Sequence, residues 1–159
     1  MVKSTLVSPR KLKGFQDKHP QTMAMKEHIM QVIRQTSVLA GFKMVETPTL
    51  EYSEVLLGVG AETDKQVYRF LDNGKRDVAL RYDLTVPFAR YVAENHGKLS
   101  FPFKRLQMGQ VFRAEKPQKG RFREFAQCDL DIIGVVSPES DLEILSTLSL
   151  VIEQVLPCE

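Results

Sequence analysis

The chain has two cysteines, three histidines, a formal net charge of only +2 and no apolar run of membrane-spanning length. Each scarcity removes a class of protein. Cys128 and Cys158 lack metal-ligand spacing, so a structural zinc site built on a cysteine pair is excluded. Both thiols are expected to be reduced, as in a cytoplasm. His19, His28 and His96 fall in loop, helix and cap contexts without a paired nucleophile or carboxylate motif, which leaves no sign of covalent catalysis. A bilayer span needs about 20 consecutive apolar residues, and without one the protein is expected to be soluble and, with its reduced thiols, cytoplasmic. So small a net charge gives no general affinity for nucleic acid, although it permits a local basic patch. No glycine-rich phosphate fingerprint follows a strand and opens a helix, and no repeat or low-complexity linker divides the chain. With 159 residues, 43% hydrophobic and 26% charged, the composition is that of one core and one domain.

What is present is strongly patterned. Met23, Ile29, Met30, Val32 and Ile33 recur at helical spacings and predict a helix over residues 20–40, closed by Gly41. Residues 42–45 and 47–50 read as one strand interrupted by Pro48, which has no amide hydrogen and so favours a sheet edge. Ser53 can cap a short helix to Leu57, and Gly58-Val59-Gly60 then reads as a flexible loop. Asp72-Asn73-Gly74-Lys75 between apolar runs predicts a hairpin, since both central residues tolerate positive φ. A helix is expected from Asp83 to about Glu94, with Pro87 in its first turn and Asp83 or Thr85 as its cap. The last helix starts near Pro138, capped by Ser137 or Ser140, and carries a broad stripe of Leu142, Ile144, Leu145, Leu148, Val151, Ile152 and Val155.

The most informative stretch is residues 106–132, read as two strands joined by a basic turn at Pro117-Gln118-Lys119-Gly120. Strand side chains alternate faces, and the faces differ in chemistry. Gln107, Val111, Arg113 and Glu115 share one face of the first strand, and Arg121, Arg123, Phe125, Gln127, Asp129 and Asp131 share the matching face of the second. The opposite face, with Leu106, Met108, Phe112, Ala126, Cys128 and Leu130, is expected to be core, with Cys128 buried. A sheet with one solvated face would also alternate. Guanidinium forks, carboxylates and a large ring on one ribbon suit a nucleotide together with an amine.

Phe112-Arg113-Ala114-Glu115, a short loop, then Arg121 and Phe125 resembles the second signature motif of class II aminoacyl-tRNA synthetases. Leu80-Arg81-Tyr82-Asp83-Leu84-Thr85-Val86-Pro87 and Gln127-Cys128-Asp129-Leu130-Asp131-Ile132-Ile133-Gly134 are similar to the histidyl-tRNA synthetase branch. The resemblance runs from about Pro9 to the end, and residues 10–17 look like the glycine-bearing segment that leads into the catalytic domain. It implies an α/β (α+β) fold, a class II synthetase-like antiparallel sheet flanked by helices, here incomplete. The implied reaction is attack of the histidine carboxylate on the α-phosphorus of ATP, then transfer of the histidyl group to tRNA(His). The resemblance makes Arg113 the catalytic clamp on the α-phosphate and the substrate carboxylate, with Arg121 on the outer phosphates, Phe125 on adenine and Glu115 at its amino edge. Histidine would be held by Asp83, Leu84, Thr85, Arg113, Gln127 and Asp131, the last near the imidazole. Many relatives carry glutamate at the positions of Asp83 and Asp131, which keeps the charge and changes the reach. Mg2+ would arrive with ATP, no metal-ligand motif is present, and Lys116 and Lys119 stand in a turn that can meet tRNA, ATP or solvent.

The helix and proline-bearing strand over residues 20–50 resemble the first class motif, which implies a homodimer. The third class motif and an anticodon-binding domain are not visible in the 159 residues. The chain is therefore expected to be an N-terminal portion of the catalytic domain, inactive alone. A noncatalytic relative, the regulatory subunit of ATP phosphoribosyltransferase, and a pure dimerisation module are the alternatives.

Overall fold

The computed structural model describes residues 6–58 and 64–156. Among these are four α-helices and six strands, the strands in two three-stranded sheets. Helix α1, Pro20–Leu39, has proline at its first position, where a missing amide hydrogen costs nothing. Gly41, at φ 87°, ends it. The amides of Gly41 and Phe42 then reach the carbonyls of Val38 and Ser37, each at 3.0 Å.

The expected proline-interrupted strand is in fact two strands in different sheets. β1, Lys43–Met44, runs parallel to the later strand Phe103–Phe112, while β2, Leu50–Tyr52, pairs antiparallel with Asp77–Leu80. Pro48 cannot donate to a ladder, and the chain crosses between the sheets there. Helix α2, Ser53–Leu56, is present, but Ser53 is its first residue rather than its cap. The Ser53 hydroxyl donates to Asp77 instead, at 2.9 Å. The Val59-Gly60 part of the expected loop lies outside the described residues.

β3, Arg69–Leu71, and β4, Asp77–Leu80, form the expected hairpin. Its left-handed residue is Lys75 (φ 60°), not Asn73 or Gly74. Asp72 makes this possible, since its Oδ1 accepts the amides of Gly74 (2.8 Å) and Arg76 (2.9 Å) and builds the turn from its side chain. Helix α3, Thr85–Asn95, starts two residues later than expected. Asp83 stays outside it and accepts the Val86 amide at 3.1 Å. A 3-10 turn, His96–Lys98, follows.

β5, Phe103–Phe112, and β6, Glu124–Ile133, then form ten antiparallel pairs, from Phe103 opposite Ile133 to Phe112 opposite Glu124. Both strands stop short of their expected ends. Arg113 still donates its amide to the Arg123 carbonyl (2.9 Å), but the Ala114 amide turns to Gln66 (2.7 Å) and the Arg123 amide to Gly14 (2.8 Å). Residues 114–122 are therefore a loop, so Glu115 and Arg121 sit on loop rather than strand. Helix α4, Pro138–Val155, is capped by the Ser137 hydroxyl, which accepts the Glu139 amide at 3.2 Å, with Glu139 and Asp141 in the first turn.

The parity of the ribbon is as expected, and its burial is not. Arg105, Gln107 and Val111 on the polar face are all essentially buried, beneath α3 and the smaller sheet. On the apolar face Leu106 is buried, while Ala126 and Cys128 are exposed. The cause is an open groove of about 320 Å3 between α1 and that face, lined by Met25, Ile29, Met30, Ile33, Met108 and Cys128. The stripe of α4 divides as well. Thr147 and Val151 are buried and Gln154 reaches Thr36 of α1 (3.1 Å), whereas Leu142, Leu145, Leu148 and Ile152 face outward. Burial of Phe42, Leu106 and Val111 contributes about 1.5 to 3 kcal/mol each.

Candidate functional site

The polar face of β5 and β6 is the floor of the site, and its ladder sets the spacing. Gly109 stands opposite Gln127, Val111 opposite Phe125, Gln107 opposite Asp129 and Arg105 opposite Asp131. Alternate residues along β6 thus present Phe125, Gln127, Asp129 and Asp131 in one row.

At the loop end Arg113, Glu115, Arg121 and Phe125 line one cavity of about 230 Å3, with Gly120 and Phe122. The four residues that the resemblance gives to ATP are therefore together. The Arg113 guanidinium lies 4.3 Å from the Tyr82 ring centre and 5.0 Å from that of Phe125, and its Nε donates to the Tyr82 carbonyl at 3.3 Å. Arg121 and Glu115 form an ion pair at 2.5 Å. Arg121 is largely exposed in that pair, whereas Glu115 is mostly covered.

The loop is anchored from beneath by Arg123. Its Nε donates to the Glu115 carbonyl (2.8 Å), and Nη1 to the Lys13 carbonyl (3.2 Å). Gly14, at φ 90°, leaves room for it, because a Cβ there would stand 2.8 Å from two Arg123 side-chain carbons.

At the other end Thr85 and Asp131 line a second cavity of about 570 Å3, with Phe88, His96, Phe101 and Ile133. The remaining residues assigned to histidine are distributed less simply. Asp83 precedes α3, whose cap residue is Leu84, and accepts the Val86 amide of its first turn. Leu84 has no exposed surface, and its carbonyl accepts from Arg105 at 2.8 Å. Gln127 donates to both oxygens of Asp129 (3.0 and 3.2 Å), and its Oε1 is buried without a partner. Asp131 is ion-paired with Arg105 rather than free.

Two arginines at the site escaped the sequence reading. Arg105 shares the parity of Gln107 and Arg113 and lies one residue before the expected strand start at Leu106, so extending the alternation by one residue finds it. Arg81 lies inside the quoted motif without a role. It is 4% exposed, and it donates from Nε to the Gln110 carbonyl and from Nη1 to the Thr47 carbonyl, both at 2.7 Å. Desolvation holds its pKa below the usual arginine value, opposed by Glu46 and Glu51. The Arg81 carbonyl accepts the Phe112 amide at 2.9 Å, so this residue joins the two sheets where Arg113 emerges. No group of three or more metal-ligating side chains occurs among the described residues, and no described helix is long and apolar enough to cross a membrane.

Small sheets flanked by helices, with a long antiparallel ribbon among their strands, match the fold of class II aminoacyl-tRNA synthetase structures. Within that class the chain belongs to the histidyl-tRNA synthetase family, whose model matches residues 14–159. It is 52% identical over 147 residues to a histidine–tRNA ligase from Treponema denticola, over 89% of this chain and 32% of the relative. Its structure resembles that of histidyl-tRNA synthetase from Nostoc sp. PCC 7120, with a TM-score of 0.80 at 32% identity over 91% of this chain and 34% of the other. An ATP phosphoribosyltransferase regulatory subunit/histidyl-tRNA synthetase from Bacillus halodurans gives a TM-score of 0.84 at 29% identity, over 98% of this chain and 40% of that one. The chain spans about a third of the length of the curated relatives it matches.

Proposed function

We propose that this chain forms the part of a histidine–tRNA ligase that binds ATP and histidine and aligns them for adenylate formation before transfer to tRNA(His). The observation that carries the reading is the polarity of the β6 row. The loop end offers two guanidinium groups and a ring, suited to a triphosphate and a base. The other end offers acceptors, namely Asp129, Asp131 and the unpartnered Gln127 Oε1, suited to an ammonium and a ring N–H. From Phe125 to Asp131 the row extends about 20 Å at roughly 3.3 Å per residue, long enough to hold both substrates end to end.

In this reading Arg113 clamps the α-phosphate and the histidine carboxylate, Arg121 leaves Glu115 for the outer phosphates, and Phe125 stacks on adenine. Asp83, Leu84, Thr85, Gln127 and Asp131 surround the amino acid. Asp83 acts there through the first turn of α3, whose Val86 amide it accepts, and Leu84 through its backbone. Mg2+ enters as part of the ATP substrate, whose triphosphate carries its ligands. A cytoplasmic location accompanies the reaction. A homodimer through residues 20–50 would cover Leu39, Met44 and Leu50, exposed by 89%, 55% and 41%.

The test is histidine-dependent ATP–pyrophosphate exchange by the full-length protein. Arg113→Ala should lower the rate roughly 10²- to 10³-fold, the loss typical of one preorganised donor to a developing charge. Binding of histidine without exchange by the wild type would sink the reading and favour a noncatalytic regulatory subunit, the alternative raised by the likeness to the Bacillus halodurans protein.

A further inference from the structure

Arg105 has no exposed surface and none of the roles assigned above. A guanidinium carried into the interior needs partners for its N–H groups, and here they come from three elements. Nη2 donates to the Leu84 carbonyl at the start of α3 (2.8 Å) and to Gln107 Oε1 (2.9 Å), which also accepts from Nε (3.2 Å). Nη1 is ion-paired with Asp131 on β6 and stands 3.6 Å from Asp129 Oδ2. The Phe88 ring of α3 closes the remaining side, its centre 4.3 Å from Cζ. Gln107 is itself held, donating to Thr47 Oγ1 at 2.9 Å. One side chain thus ties the helix start that carries Asp83 and Thr85 to the strand that carries Gln127, Asp129 and Asp131.

The charge count gives this tie a chemical consequence. Asp129 and Asp131 face a single guanidinium, which leaves one negative charge on the row. Asp129 also takes both hydrogen bonds from Gln127 Nε2, which leaves Gln127 Oε1 as a bare acceptor. We propose that Arg105 is a positioning residue of the amino-acid pocket: by holding the Asp131 carboxylate and the Leu84 carbonyl in fixed relation, it aligns acceptors for a cationic amino acid rich in N–H groups. The assignment rests on the function proposed above. Without Arg105, Asp131 would lose its fixed orientation, and the start of α3 its tie to β6. The loop-end cavity of Arg113, Glu115, Arg121 and Phe125 shares none of these bonds.

The experiment is pyrophosphate exchange by the full-length protein carrying Arg105→Met or Arg105→Lys, with histidine and ATP varied separately. Arg105→Met should raise the KM for histidine about 10- to 100-fold, the equivalent of one charged hydrogen bond, and leave the KM for ATP within about 2-fold. Arg105→Lys should fall between Met and wild type, because an ammonium keeps the charge but cannot span the partners as a planar fork does. Equal rises for both substrates, or an unchanged KM for histidine in a folded variant, would overturn the assignment while leaving the function standing. Absence of histidine-dependent exchange in the wild type would overturn both. Should circular dichroism show Arg105→Met unfolded, Arg105→Lys decides: an unchanged KM for histidine refutes the role, and a selective rise supports it.

Discussion

Gly109→Ala isolates the junction of the two sheets in a single methyl group. A Cβ at position 109 would collide with Arg81 Nη2, and would stand 3.2 Å from Arg81 Cζ and 3.4 Å from Leu84 Cδ2. Arg81 cannot retreat freely, since two 2.7 Å hydrogen bonds to the Gln110 and Thr47 carbonyls hold it and the site is closed to solvent. The substitution must then overpack the junction, at about 1 to 3 kcal/mol, or break a charged hydrogen bond, at about 1.5 to 3 kcal/mol. Either route gives about 1 to 3 kcal/mol, and at about 2 to 4 °C per kcal/mol for a domain of this size the midpoint should fall by roughly 2 to 12 °C. The chain has no tryptophan, so far-UV circular dichroism and calorimetry are the suitable assays. A double-mutant cycle identifies the cause, because if Arg81 is what the methyl strikes, Gly109→Ala should cost about 1 to 3 kcal/mol less in an Arg81→Ala background. Additive losses, or a shift below about 2 °C, would refute the reasoning.

Cys128 is exposed in area but sits in the groove under α1, where desolvation and then the Asp129 carboxylate push its pKa up to about 11. Against an ordinary thiol at 9.0 this leaves about 100-fold less thiolate at neutral pH, so iodoacetamide should alkylate it far more slowly than a free-cysteine peptide; a rate matching the peptide's would contradict the groove. The exposed apolar residues of the 20–50 region should make the chain self-associate. Sedimentation at high micromolar concentration should show a dimer that Leu39→Glu dissociates, and a strictly monomeric wild type would exclude this interface.

How much was legible in the sequence varied with the range of the interaction. Period-two alternation placed Phe125, Gln127, Asp129 and Asp131 on one face, and the ten-pair ladder agrees residue by residue. The hairpin was legible because Asp72 builds its turn locally, although the local signal assigned positive φ to the wrong residue. What misled was the rule that apolar parity means interior. Arg105 and Gln107 are buried because each finds partners far away in sequence, Leu84 and Thr47, whose approach no local pattern announces. The strand ends failed for the same reason, since Gln66 and Gly14 capture the amides that would have extended the ladder. Asp83 was read first as a cap and then, by resemblance, as a ligand. Its side chain accepts the Val86 amide in the first turn of α3, but the cap residue is Leu84 and not Asp83 or Thr85, so the local signal found the helix start and missed the capping residue.

The break in the ladder after Phe112 divides the site into halves of unequal stiffness. Gln127, Asp129 and Asp131 stand on a continuous ladder whose hydrogen bonds form as the chain folds, so the entropy of arranging that half is lost before any ligand arrives. Arg121 and its neighbours Lys119 and Gly120 stand on an exposed loop held at its base by Arg123 and the 113–123 backbone bond. Its own bonds are few, chiefly the Gln118–Arg121 backbone pair and the Arg121–Glu115 ion pair, so on the proposed function the ligand completes its ordering. On the proposed function, the acceptor end is a preformed mould and the guanidinium end a clasp that closes on its anion.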